Sequence, residues 1–476
     1  MFLSAKQPSK PVSIHGSAQA RTSPTTSSLP TAGRYLFLFL VLMWNIPTYG
    51  NQAPVSTTNN SSPGFYYVSP SGNDLNPGTY AAPWRTIQKA ANSIRPGNTV
   101  LIANGNYSEI VVSTTAGTAA APITFRAVSD SAVVSGFNIG HPFHTITGFS
   151  LTGAGVQGFS GTITIKQGGD SLLVSGNRFN GSPANVFQVT TAPRVNLTNI
   201  VINGNSFLNG NYHAIKIAGS YNTISSNLFT SPHGWDAINL FSSYSVIRGN
   251  NFIDFSNLEN NSNHPDLVQT FDNNGEIALH VVIEGNFAYR CQATQIGNIE
   301  DTHNGNNVAD WTWRNNIYSG VEWAMSLSAP NMKFYNNVFY RSGINTAGPL
   351  LFRNSDGRTL GNNGQVINNL FIECGDKPNR PEIGWYNIDQ GVTGFSADYN
   401  LVIGIGAGTT KSGFATGQLE PHGINGLAPL FVNASLMNFR LQPSSPASGS
   451  GLDLSALFTT DFTGSRRVGR WSRGAY

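Results

Sequence analysis

The chain has 476 residues, of which only 11% are charged while 51 are glycine and 53 asparagine, a balance that excludes coiled coils and long amphipathic helices. The 39% hydrophobic fraction, with 28 phenylalanines, is ample for a buried core and excludes wholesale disorder. The formal charge of +3 arises before the first acid, Asp74, from Lys6, Lys10, Arg21 and Arg34; beyond residue 50, 23 basic residues face 24 acidic ones, which gives no electrostatic case for nucleic acid as a partner.

The first element is the apolar run YLFLFLVLMW, Tyr35 to Trp44, behind Arg34. Ten apolar residues fall short of a bilayer about 30 Å thick but suit the core of a secretory signal. Residues 1–50 are therefore read as a leader that directs the protein out of the cytoplasm. The competing reading is an uncleaved anchor, the one route by which a membrane enters. Residues 51–63, NQAPVSTTNNSSP, read as a flexible tether. Over residues 64–98 the spacing of Trp84, Ile87, Ala91 and Ile94 predicts a short helix with one apolar face, ended by Pro96 and Gly97.

From there a six-residue pattern recurs: apolar, two variable residues, Asn, one variable residue, large apolar. It appears as VSGNRF, INGNSF, ISSNLF, IRGNNF, IEGNFA, WRNNIY, FYNNVF and VINNLF, anchored at Asn177, Asn205, Asn227, Asn250, Asn286, Asn316, Asn337 and Asn369 and continued at Asn400. Spacings of 21 to 36 residues fit one coil each of a parallel β-helix. Val174, Ile202, Ile224, Ile247, Ile283, Trp313, Phe334 and Val366 then form one inward column, and Phe179, Phe207, Phe229, Phe252, Ala288, Tyr318, Phe339 and Phe371 a second, with rungs about 4.8 Å apart. The asparagines are placed at the bend, where they tolerate left-handed backbone angles and bond their equivalents above and below. The fold class is all-β, a right-handed parallel β-helix over residues 99–425, capped by residues 64–98 and closed by a C-terminal segment, 426–476. Its Arg466, Arg467, Arg470 and Arg473 read as a solvated tail. Cys291 and Cys374 each follow their asparagine by five residues; three coils apart, about 14 Å, they are expected to be free thiols.

A third strand lies between successive motifs: HAIKIAG, WDAINLF and PDLVQTF, beginning at His213, Trp235 and Pro265. Alternation points Ile215, Ile217, Ile238, Leu240, Val268 and Thr270 inward and sets Lys216, Asn239 and Gln269 outward on adjacent rungs. His213, His233 with Asp236, and His264 with Asp266 gather at the edge where loops enter these strands. Two carboxylates about one rung apart can hold Ca²⁺ or raise one another's pKa. The plainer alternatives are that the acids satisfy turn backbone, that Lys216 is a solvated surface lysine and that the histidines fill turns. The segment HPDLVQ, His264 to Gln269, is the sharpest candidate, with His, Asp and Gln expected at one exposed corner. EDTHNG, from Glu300, extends that edge or is simply solvated; Trp313 falls in an inward column and reads as core.

The segment from Gly64 to Glu109, together with Leu427 to Gly451 and the TTDFTGSRR beyond it, resembles the ends of secreted right-handed parallel β-helix proteins of the pectate-lyase-like superfamily. The resemblance covers residues 64 to 476. It implies a substrate cleft on the outer face of the third strands and a polysaccharide as partner. The functional expectation is a secreted, monomeric protein acting as a lyase on a uronate-containing polysaccharide. Lys216, His264 and Asp266 are the catalytic candidates. His213, His233, Asn239 and Gln269 are the sugar contacts, and Asp236 and Asp266 are candidate Ca²⁺ ligands. Replacing Asp266 by Ala is expected to abolish activity with little change in melting temperature. The dense aspartate cluster with lysine of family-nine polysaccharide lyases has no match in this chain, so a non-catalytic carbohydrate-binding solenoid and a glycoside hydrolase using Asp236 and Asp266 stay open.

Overall fold

The computed structural model describes residues 64–476 except 158–159, 184–185, 193–194, 233–234, 257–264, 273–275, 302–305, 347, 356–358, 376–385 and 404–419. The leader, the tether, His233, His264 and His303 thus lie outside the described residues. Among those described, no helix is long and apolar enough to cross a membrane.

Each coil of the solenoid contributes strands to three faces. The first face carries the strand before each repeat asparagine, in a 13-stranded parallel sheet running from Phe65–Val68 to Ser396–Asp398. Phe65–Val68 pairs in parallel with Thr99–Ile102, so coiling starts ahead of residue 99. The second face follows the asparagine and the third completes the turn; Phe287–Glu300 and Ile317–Ser328 run through both without a break. Register places Ile202 beside Ile224, Ile224 beside Ile247 and Ile247 beside Ile283, all at most 1% exposed. On the second face the Phe179, Phe207, Phe229 and Phe252 rings stack at 4.7 to 4.9 Å, so a single apolar column runs through successive coils.

The asparagines form a directional chain. Asn227 donates from its backbone N–H and its Nδ2 to Oδ1 of Asn250, and Asn250 does the same to Asn286. Each Nδ2 also reaches a first-face carbonyl of the coil behind, Ile202 for Asn227 and Ile224 for Asn250. The left-handed residue is the one just before each of them: Gly176, Gly204, Ser226, Gly249, Gly285, Asn315, Asn336, Asn368 and Tyr399. That corrects the expected geometry. The preceding residue makes the bend, leaving the asparagine free to point inward and bond along the axis.

The N-terminal helix is only Ile87–Ala91. Trp84 is excluded because its N–H donates to the Tyr67 carbonyl and its own carbonyl accepts from Ser69, making it a strand partner of Val68. Thr86 then caps the helix, and the Glu109 carboxylate accepts the N–H groups of Ile87 and Gln88. Both cysteines are free and buried. Of the four C-terminal arginines expected in a solvated tail, Arg466 and Arg470 are exposed, but the other two are packed: Arg473 is 4% exposed, bonding the carbonyls of Asn400, His422 and Ser450, and Arg467 bonds Asn315 and the carbonyls of Gly474, Ala475 and Tyr476.

Candidate functional site

The third face places the predicted row in register. Lys216 pairs with Asn239 and Asn239 with Gln269 on the strands Ile215–Ser220, Ile238–Ser243 and Val268–Phe271. The row extends to Thr190 above Lys216 and to Asn298 and Ser326 below Gln269. Ile215, Ile217, Ile238, Leu240, Val268 and Thr270 are buried behind it. Lys216 and Gln269 are half-buried; Asn239, expected to face solvent, is 4% exposed because its amide is spent on its neighbours, donating to Oδ2 of Asp236 at 2.8 Å and to Oε1 of Gln269 at 3.1 Å.

Lys216 has two neighbours that its sequence position does not reveal. Its Nζ lies 3.7 Å from the Glu276 carboxylate and 4.9 Å from the centre of the Phe241 ring. Burial pushes the Glu276 carboxyl above the usual range, while Lys216 pulls it back. Glu276 sits beyond the third strand in a stretch without repeat pattern, so no periodicity could have pointed to it.

At the entry edge, His213, Asp236 and Asp266 each stand three residues ahead of the row. Asp236 is buried and fully engaged. Its Oδ2 takes the Asn239 amide and lies 3.1 Å from His213 Nδ1, and its Oδ1 accepts the backbone N–H of Asp266 at 2.8 Å. His213 Nδ1 also accepts the Asp236 backbone N–H at 3.3 Å. Asp236 therefore both caps the backbone of the next coil and ties His213 to Asn239.

Asp266 departs most from expectation. It is not at an exposed corner: its relative exposure is 0%, it bridges to Gln295 in the next coil, and neither carboxylate oxygen has a hydrogen-bond partner among the described residues. Burial raises its pKa well above the ordinary value, and the charges of Asp236 and Glu300 raise it further. Because it is buried, its replacement is not expected to leave the melting temperature untouched, as an exposed position would allow. Asp301 is likewise buried. Trp311 and Trp313 stack on each other in the core.

A family model described as Pel9A-like, right handed beta helix region, matches residues 66–309, just over half of the chain. Among solved structures the chain is similar to the crystal structure of pectate lyase Pel9A, at 18% identity over 88% of this chain and 97% of that one with a TM-score of 0.50. It is also similar to the complex structure of XylC with xylose, at 11% identity over 87% and 98% with a TM-score of 0.53. Identities this low speak to fold alone. The uncharacterized protein YwoF of Bacillus subtilis (strain 168) is 40% identical over 76 residues, a match spanning 16% of each protein.

Proposed function

The chain belongs to the Pel9A-like right-handed β-helix family, and we propose that it is a secreted, monomeric, polysaccharide-active protein that binds a uronate-containing polymer along its third face and cleaves it by β-elimination. The observation that carries the reading is the in-register row of Lys216, Asn239 and Gln269, edged by Asp236 and Asp266. Lys216 is the cation for a substrate carboxylate and, once deprotonated, the base for the proton at C5. The electron pair left at C5 forms the C4–C5 double bond as the C4–O bond breaks, and the departing oxygen takes a proton from water to leave as a hydroxyl. Gln269 is the hydroxyl contact, and Asn239 holds Gln269 and Asp236 in place. Export rests on the Tyr35–Trp44 run.

Calcium is the cofactor that the acids suggest. The unpartnered oxygens of Asp266 would supply one ligand, whereas Asp236 has already filled both of its oxygens. Ca²⁺ takes six to eight oxygens, and among the described residues no group of three or more His, Cys, Asp or Glu side chains converges to hold a metal. The described residues do not complete a calcium site, and no step is derived through one.

Hydrolysis is the second reading, favoured by two carboxyl groups on adjacent rungs in unlike surroundings: Asp266, its pKa raised by burial, and the hydrogen-bonded Asp236. The test is incubation of the mature protein with pectate, alginate and glycosaminoglycans, with Ca²⁺ and with chelator. Ultraviolet absorbance from unsaturated ends is the expected result. Reducing ends without absorbance would make it a hydrolase, and binding without either product a carbohydrate-binding solenoid.

A further inference from the structure

The entry edge also carries an aromatic corner to which no role has been given. The Phe187 ring stacks on the His213 imidazole with centroids 5.5 Å apart, and Tyr212 meets both edge-on at 4.9 and 4.4 Å. Trp235 leans on Tyr212 at 5.7 Å and on His213 at 5.2 Å. Phe187 is 6% and His213 8% exposed, but Trp235 is 38% exposed. The indole is therefore the outward member of a group whose other rings fix its position.

This corner is joined to the polar row by continuous contacts. Trp235 touches His213, His213 Nδ1 lies against Asp236, Asp236 accepts from Asn239, and Asn239 donates to Gln269. His213 and Lys216 are three residues apart along the chain, at most about 10 Å when extended, the reach of roughly two linked sugar rings.

Resting on the reading that the third face holds a polysaccharide, we propose that Trp235 is the stacking platform of a separate sugar subsite, taking the apolar C–H face of one pyranose while a neighbouring unit presents its carboxylate to Lys216. An aromatic face contributes area and orientation without consuming hydrogen bonds, which suits an edge where Asp236 and His213 are already paired. The preferred ligand is an oligosaccharide long enough to cover both places. Units with hydrogens gathered on one face are favoured over units with an axial hydroxyl on each face.

The test uses the full chain and oligosaccharides of graded length prepared from whichever polymer the wild-type protein binds or cleaves. Trp235→Ala is expected to weaken binding, or raise KM, about five- to ten-fold for tetrasaccharides and longer, with disaccharide affinity and kcat little changed. Trp235→Tyr should recover most of the loss, and circular dichroism of both variants controls for folding. Equal affinity of Trp235→Ala and wild type at every length would overturn the subsite while leaving the polysaccharide reading intact. No binding of any acidic polymer by the wild type would overturn that reading, and the subsite with it.

Discussion

Asp236 and Asp266 stand one rung apart with opposite surroundings. The Asp236 carboxylate accepts the Asn239 amide and the Asp266 N–H and lies against His213, so Asp236→Ala would strand the buried Asp266 N–H and loosen Asn239 and His213 at once; a loss of about 3 kcal/mol or more in urea unfolding is expected. Asp266 has no such partners among the described residues, and its folded-state pKa stands above the ordinary 3.8. Below that value the carboxyl is neutral in both the folded and unfolded chain. As pH rises the unfolded chain releases the proton first, and stability falls until the folded carboxyl also ionises. Asp266→Asn removes this loss. Its melting temperature should match the wild type near about pH 4 and exceed it by a growing margin as the pH is raised from there. A constant difference across that range would mean that Asp266 does not titrate out of step with the unfolded chain.

At the scale of the coil, paired asparagines separate two tasks. In NN doublets the second residue bonds along the axis, while the first takes the left-handed bend and points outward. Asn315, Asn336 and Asn368 donate to carbonyls of the C-terminal segment, those of Thr460, of Ser472 and Gly474, and of Leu452. At the bends before Asn177, Asn205, Asn250 and Asn286 the left-handed residue is Gly. Asn336→Gly keeps a permissive bend but drops two bonds to the tail. Hydrogen exchange should quicken around residues 471–475 while the first-face strands stay protected. Asn250→Ala breaks the axial chain and should cost several kcal/mol, on the order of the sum of its buried bonds; a cost equal to that of Asn336→Gly would refute the division of labour. The columns behind these doublets were legible in the sequence because burial asks for the same residue type every coil. The bend position was not, because Gly, Ser, Asn and Tyr all fill it. The row Lys216, Asn239, Gln269 was legible through strand alternation. The burial of Asp266, the Glu276 contact and the Trp235 corner were not, because they depend on loops of unequal length and on side-chain contacts that no period encodes.

For the solenoid as a whole, stability is a sum of coils and of the interfaces between neighbours, so the ends decide where unfolding starts. No disulfide ties one coil to another: Cys291 and Cys374 are free, and burial pushes both thiols up to about 12, so thiol reagents should label them only in denaturant. The N-terminal end is held by the Glu109 carboxylate on the first helix. At the other end Glu420 takes the place of the next asparagine: its carboxylate accepts the N–H and Nδ2 of Asn400 and the Tyr386 hydroxyl. The axial chain runs donor to acceptor from coil to coil, so removing its final acceptor leaves the buried Asn400 N–H unpaired and its Nδ2 with only the Val366 carbonyl. Glu420→Gln retains one acceptor oxygen and should be intermediate; Glu420→Ala retains none. In Glu420→Ala, exchange protection should be lost first in Leu401–Ile403, Ser396–Asp398 and Tyr386–Ile388, with Thr223–Ser225 in the middle of the solenoid still protected. A loss that is uniform over all coils would show that the solenoid opens as one unit and that Glu420 is not the terminal clasp.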